Sequence, residues 1–132
     1  MPLTADVDMA CRNKAAKCRS YLEVADVALG SGYYDAAVSL SVSAAVNAAD
    51  LFLLTRQGRY SKGGSHQEAM SALRKHGAVG SDLARRLGIA LKNKTKAQYE
   101  AARCSVQEAE TAFLHAQRMT ETACLAYGKE VN

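Results

Sequence analysis

A glycine-containing basic loop near the middle of the chain holds the two residues that come closest to a catalytic pair. Arg59 and His66 are separated by six residues. An arginine can stabilise the charge of a phosphorane-like transition state, and a histidine can move protons near neutral pH. The pair therefore suggests a metal-independent ribonuclease. Such a loose spacing also arises by chance, and the alternative is a solvated loop arginine followed by a histidine in the first turn of a helix.

The other potentially reactive side chains do not indicate a cofactor or a metal. Cys11, Cys18, Cys104 and Cys124 have no CxxC spacing and no histidine at ligand spacing, so we expect no zinc. We expect small buried or half-buried cysteines in a reducing, cytoplasmic setting. Gly63-Gly64 is a lone pair rather than a phosphate-binding glycine motif, and no cofactor is expected.

The charge distribution points to an anionic partner. The chain carries a formal net charge of +4. Between Arg56 and Arg103 there are eleven lysines and arginines against three acidic residues, which is +8, and the two flanks together carry −4. A basic central segment between acidic flanks is typical of proteins that bind phosphate or nucleic acid. Exposed lysines and arginines on short helices would give the same pattern.

Length and composition favour one all-α domain over residues 1–132. The 132 residues are 48% hydrophobic, and about 25 of them are alanine, the strongest helix former. No run of 18 apolar residues is present, so no membrane span is expected. The N-terminal residues do not have the pattern of a secretory signal.

The first two helices are predicted at Thr4–Leu29 and Tyr34–Gln57. Thr4 can cap the first, and the glycines at 30 and 32 can end it. The second has no charged residue between Asp35 and Asp50, which predicts a buried helix. Its small residues allow close packing, and its core side chains are expected to be Leu40, Phe52 and Leu53.

The second half of the chain predicts shorter helices and one long final helix. Ser65 and Glu68 have the form of a capping box, and so have Ser105 and Glu108. Ser81 is predicted to cap the fourth helix, and the last helix is predicted to end near Tyr127 with Gly128 as its stop. The secondary structure of residues 92–104 is ambiguous. The expected architecture is an up-and-down antiparallel bundle of four to five helices.

Four segments together resemble the HEPN domain family of small helical bundles, over about residues 15–126. They are the stretch from Tyr21 through the Gly30-Ser31-Gly32-Tyr33-Tyr34 turn, the alanine-rich second helix, the segment from Gly58 to Ser65-His66, and residues 91–99 with the final helix. The resemblance implies the same all-α bundle. It also implies a homodimer, a nucleotidyltransferase-like partner and a role in a toxin–antitoxin or defence pair.

The family's ribonuclease motif is Arg-Asn, three residues, His, one residue, Tyr. On this chain its positions fall on Lys92, Asn93, Ala97 and Tyr99. The asparagine and tyrosine match, but lysine does not replace a bidentate guanidinium, and alanine cannot transfer a proton. The resemblance therefore implies a non-catalytic member that binds a nucleotide, RNA or a protein partner. The ligand-binding residues predicted for it are Lys62, Lys92, Asn93, Lys94, Lys96 and Tyr99.

Three functions remain open on the sequence. The first is a non-catalytic HEPN-like binding protein, the second is a ribonuclease that uses Arg59 and His66, and the third is a dimerisation bundle without a ligand. In the third case, Asn93 and Tyr99 would only fix the exit of the fourth helix.

Overall fold

The computed structural model describes residues 3–131, which form six α-helices and no strand. Helix occupies 82% of these residues, and the predicted all-α bundle is confirmed. The helices are α1 (Ala5–Gly30), α2 (Tyr34–Gln57), α3 (His66–Arg74), α4 (Gly77–Leu91), α5 (Lys94–Tyr99) and α6 (Val106–Val131).

The boundaries of α1 and α2 follow from the caps in the sequence. Thr4 accepts a hydrogen bond from the backbone N–H of Val7 at 3.2 Å, as an N-cap does. The predicted bounds of α2 are confirmed at both ends. Gly58 ends α2 with φ +73°, in the left-handed region that glycine adopts without steric cost.

The turn between α3 and α4 is tighter than predicted. Ser81 does not cap α4, because the helix already begins at Gly77, which has φ +71°. Gly80 is buried and lies so close to the backbone carbonyl of Leu73 that a Cβ at position 80 would overlap with it. The glycines at 77 and 80 thus allow α4 to start one turn earlier, directly against the end of α3.

The last helix begins as predicted but does not end at Gly128. Glu108 N–H donates to Ser105 Oγ at 3.1 Å, and Ser105 N–H donates to Glu108 Oε1 at 2.8 Å, which completes the capping box. Gly128 lies inside α6, which continues to Val131. Glu130 lies 3.6 Å from Arg56 on α2 in an ion pair, and this contact holds the final turn against the bundle.

Side-chain contacts define the helix directions. Lys14 near the start of α1 meets Asp50 near the end of α2, so these helices are antiparallel. Asp35 contacts the segment before α6, and Arg56 contacts the end of α6, so α2 and α6 run parallel. The helices α1 and α4 each pack against both of them. This is the up-and-down arrangement of a four-helix bundle, with α3 and α5 as additional short elements.

The core is centred on α2, as its uncharged sequence predicts. Ala44, Ala45, Ala48 and Ala49 are each at most 1% exposed. Phe52 and Leu53 are buried as expected, whereas Leu40 is only half-buried. An 18-residue window of α2 has a mean hydropathy of 1.7, enough by composition to cross a membrane, but 67% of it is buried inside the bundle. That burial is typical of a core helix.

Candidate functional site

A polar cleft opens where α1, α2, the 58–65 loop and the start of α3 meet. Its volume is about 320 Å³. The loop contributes backbone and side chains from Tyr60 to Ser65, including the two adjacent glycines. Charged and titratable side chains enter the cleft from three helices, and they are Lys14, Asp50 and His66.

The centre of the cleft is an ion pair between α1 and α2. Lys14 Nζ donates to Asp50 Oδ2 at 3.0 Å, and the two side chains are only 18% and 14% exposed. The same ammonium lies 4.6 Å from the centre of the Tyr60 ring, in a cation–π contact. Tyr60 therefore ties the loop to the ion pair.

The two partners of this pair have pKa shifts of the same sign for different reasons. Burial raises the pKa of Asp50, and the nearby Lys14 only partly offsets that effect. For Lys14, burial lowers the pKa, but the hydrogen bond to Asp50 and the charge of Asp50 outweigh burial and raise it. The 3.0 Å contact between the ammonium and the carboxylate favours the charged form of both side chains. Lys14 is thus a protonated cation in a mostly enclosed site.

His66 faces the same cleft and connects it to α5. Burial lowers the pKa of His66, and the positive charge of Lys94 lowers it further, against the opposing effect of Asp50. Lys94 is the first residue of α5. The cleft therefore collects cationic or protonatable groups from α1, α3 and the loop, and the charge of Lys94 acts on His66 from α5.

Arg59 does not line the cleft that contains His66. It lines a neighbouring depression of about 290 Å³, which has an apolar floor that includes Val7 and Leu54. Tyr60 and Lys62 line both cavities and lie between them. Of the Arg59–His66 pair suggested by the sequence, only His66 faces the polar cleft.

The other predicted binding residues are distributed along α5 and the turn before it. Lys96 Nζ contacts both carboxylate oxygens of Glu108, at 3.0 and 3.2 Å, so it has an internal partner. Lys92 is exposed, Asn93 is half-buried, and Tyr99 is 79% exposed. Within residues 3–131, Lys62, Lys92 and Lys94 form no ion pair shorter than 4.0 Å and are available to a ligand.

Position 97 faces the bundle. Ala97 is half-buried and packs against a core cluster that includes Val38, Val42 and Ala109. The place where the HEPN ribonuclease motif has its histidine is thus part of the apolar packing between α5 and α2. No proton-transfer group stands there.

The cysteines lie where their size and polarity predicted. Cys11, Cys18 and Cys104 are buried, and Cys124 is half-buried. Burial raises the pKa of Cys18 to about 12 and that of Cys104 to about 11, so both are thiols at neutral pH. No cluster of three His, Cys, Asp or Glu side chains suited to a metal ion occurs among residues 3–131.

Two residues of the cleft were not identified from the sequence. Lys14 lies on a helix with a mixed surface, and nothing in its spacing separates it from Lys17. Asp50 could have been identified from the sequence, because this residue ends the uncharged stretch of a buried helix. A charge at the edge of such a stretch requires a partner, and Lys14 is that partner.

The fold and the cleft define a small helical bundle with a basic polar cleft beside its central helix. The family model of the HEPN domain matches residues 14–127, which is most of the chain. The protein therefore belongs to the HEPN domain family, and the resemblance seen in the sequence is confirmed. No curated protein matches the chain at a significant level.

Proposed function

We propose that this protein is a non-catalytic HEPN domain that binds a nucleotide through its phosphate groups in the Lys14–His66 cleft. The observation that carries the proposal is that Lys14, Lys62 and His66 line one cleft in which Asp50 is the carboxylate among the described lining residues. The positive charge of Lys94 on α5 also acts on His66. Cations in a partly water-excluded site attract phosphate more strongly than the same cations on an open surface.

The loop adds groups that suit a phosphate. Residues 61–65 are two serines, a lysine and two glycines, and they form one wall of the cleft. Ser61 Oγ donates to Glu68 Oε2 at 2.9 Å, whereas Ser65 Oγ accepts from Glu68 N–H at 3.1 Å and keeps its own O–H for a phosphate oxygen. Backbone N–H groups also donate to phosphate oxygens, and glycines let the backbone approach closely. Gly63 has φ +68°, a conformation that favours glycine.

The arrangement argues against ribonuclease chemistry. Arg59 faces a different depression from His66, Lys92 stands in place of the family's arginine, and Ala97 in place of its histidine. A general acid or base must be within hydrogen-bond reach of the reacting oxygen. Among the described residues, no arginine lines the cleft of His66, so the arginine–histidine pair is not assembled there.

Binding of ATP, used as a probe and followed by isothermal titration calorimetry, tests the proposal. We expect the Lys94→Ala and Lys62→Ala variants each to weaken binding about fivefold, because one solvent-exposed charge pair contributes up to about 1 kcal/mol. Lys75→Ala is the matched control, because Lys75 is an exposed lysine at the opposite end of α3. Unchanged ATP binding in both cleft variants, or no ATP binding at low salt, would overturn the proposal.

The ribonuclease alternative has a separate test with purified protein and a labelled RNA. If the wild type cleaves RNA and both Arg59→Ala and His66→Ala abolish the cleavage, the non-catalytic assignment is wrong. Intact RNA after incubation with the wild type is the outcome that supports it.

We also propose the homodimer and the nucleotidyltransferase-like partner that the family resemblance implies. A feature that supports self-association is the outer face of α1, where Val24 and Val27 are 54% and 67% exposed. Residues three apart share one face of a helix, so the two valines form a continuous apolar contact. Co-purification with a flanking nucleotidyltransferase gene product tests the second partner.

A further inference from the structure

A second cavity lies at the opposite end of α2 from the Lys14–His66 cleft. Its volume is about 680 Å³, and it is formed by the turn between α1 and α2 on one side and by the segment before α6 on the other. The two segments meet because α2 and α6 run parallel and begin at the same end of the bundle. Its wall includes Tyr33, Asp35 and Arg103.

The Tyr33 ring is a free aromatic surface at this cavity. It is 68% exposed, and its side chain makes no capping hydrogen bond to α2. Neighbouring Tyr34, by contrast, is half-buried and packs against the core. A large exposed aromatic ring suits the stacking of a planar ligand.

Two polar groups beside Tyr33 have complementary roles. Arg103 is exposed at the rim and forms no ion pair within residues 3–131. Asp35 Oδ1 accepts a hydrogen bond from Cys104 N–H at 2.8 Å, which fixes the carboxylate. A nucleotide matches both groups. Its base is a planar ring whose N–H groups can donate to the carboxylate, and its phosphate is an anion that can bind the guanidinium.

The helix α5 connects this cavity to the Lys14–His66 cleft. Its first residue, Lys94, lies near His66. Farther along, Lys96 binds Glu108, whose carboxylate also accepts from Ser105 N–H at the edge of the second cavity. Asp35 at the second cavity and Asp50 in the cleft are about 22 Å apart along α2 at 1.5 Å per residue, and the six residues of α5, about 9 Å long, cover only part of that distance.

We propose that the Tyr33–Arg103 cavity is a second nucleotide-binding position, and that a single strand of RNA extends to it from the Lys14–His66 cleft over α5. This inference rests on the proposed function, because the cleft provides the first position. Exposed Lys92 and Tyr99, with Lys94, provide charge and an aromatic surface between the two cavities. Basic groups that follow the backbone and rings that stack on bases are what single-stranded nucleic acid requires.

The proposal predicts that affinity depends on ligand length. Fluorescence anisotropy with a labelled oligouridylate of about ten nucleotides measures the full path, and unlabelled UpU, as a competitor, measures the cleft. We expect Tyr33→Ala to weaken binding of the long oligonucleotide about tenfold, the effect of losing one stacked base, and to leave UpU binding unchanged. Tyr33→Phe keeps the ring and is expected to bind like the wild type.

Arg103 has its own expected signature. In Arg103→Ala, the slope of log affinity against log salt for the long oligonucleotide should decrease by about 0.7, the value for one phosphate contact on a single strand. Arg118→Ala removes an exposed arginine from the middle of α6 and is the matched control.

The outcomes separate this inference from the proposed function. If UpU binds through Lys94 but the long oligonucleotide binds no more tightly, the second position is wrong and the cleft remains. If the long oligonucleotide binds more tightly but Tyr33→Ala and Arg103→Ala match the wild type, the extra affinity does not come from the Tyr33–Arg103 cavity and the second position is wrong. If neither ligand binds at low salt, both proposals fail together.

Discussion

Lys14 Nζ lies 3.0 Å from Asp50 Oδ2 and joins the start of α1 to the end of α2 in the wall of the polar cleft. The pair has a structural role, because it holds two antiparallel helices together, and it also controls the charge of the cleft. A phosphate that enters the cleft must compete with Asp50 for the Lys14 ammonium. The carboxylate thus limits how tightly an anion can bind.

Replacing Asp50 with asparagine should change stability and affinity in opposite directions. Asp50→Asn leaves Lys14 in a mostly enclosed site with a weaker partner, which should lower the free energy of unfolding by about 1–3 kcal/mol. The same change removes the competing negative charge, so ATP should bind more tightly. Urea denaturation measures the first effect, and calorimetry the second.

The double variant Lys14→Met with Asp50→Asn provides the control. It removes both charges and keeps the apolar stem, so it should recover part of the stability lost in Asp50→Asn. It should also lose the gain in ATP affinity. Equal affinity in the single and double variants would mean that Lys14 does not contact the ligand.

Most of the fold could be predicted because local signals agreed with the packing. The bounds of α2, the cap at Thr4 and the capping box at Ser105 all follow from residue types within one helical turn. The start of α4 could not be predicted in this way. Ser81 has the chemistry of a cap, but the contact between Gly80 and the carbonyl of Leu73 decides the boundary, and that contact is between helices.

The candidate site could be predicted only in part, because several of its contacts join segments that are distant in sequence. His66 and the loop were found because they are neighbours in sequence. Lys14 and Asp50 reach the cleft from positions 36 residues apart, and the charge of Lys94 acts on His66 from α5, which packs on α2. Arg59 lines the neighbouring depression instead of the cleft of His66, and no spacing rule predicts which cavity a loop residue lines.

The close approach of α3 and α4 can be tested at two glycines of the same helix. In Gly80→Ala, the new Cβ would overlap with the Leu73 carbonyl, so the variant should lose about 1–3 kcal/mol of stability through overpacking. In Gly88→Ala, the nearest atom would be Met70 Sδ at 3.6 Å, which is ordinary contact. Alanine is the better helix former, so this variant should be stabilised by up to about 1 kcal/mol. Thermal unfolding of both variants measures the difference.

The proposed dimer contact predicts a change in molecular mass. Val24→Lys combined with Val27→Lys places two charges on the outer face of α1, where an apolar interface would not accept them without partners. Light scattering should give a dimer for the wild type and a monomer for the variant, with unchanged helical content by circular dichroism. A variant that remains dimeric would exclude this face of α1 from the interface.

The contact between α4 and α6 predicts a loss of stability at acidic pH. Arg86 Nη1 lies 3.1 Å from His115 Nδ1, and the imidazole accepts this hydrogen bond only when it is neutral at that nitrogen. Burial lowers the pKa of His115, and the charges of Arg86 and Arg85 lower it further, against Asp82. The pKa of His115 is therefore lower in the folded protein than in the unfolded chain. Its contribution to the free energy of unfolding is complete above about pH 6.5 and is lost as the pH falls through the pKa of the folded state. Urea unfolding from pH 7 to 5 should show a larger loss for the wild type than for His115→Gln, and parallel curves would contradict this.

Affinity in the Lys14–His66 cleft should change with pH in the opposite sense. Burial and Lys94 lower the pKa of His66, so its imidazole is mostly neutral at pH 7 and becomes a cation on acidification. A bound phosphodiester favours that cation, and binding should therefore strengthen as the pH falls from 7 and level off below the pKa of His66 in the free protein.

UpU is the suitable ligand, because its phosphodiester does not titrate in this range, whereas a terminal phosphate has a second pKa of about 6. In His66→Gln, most of the increase should disappear, and only the part that comes from protonation of Asp50 should remain. If the wild type and His66→Gln gain affinity equally, His66 does not contact the phosphate.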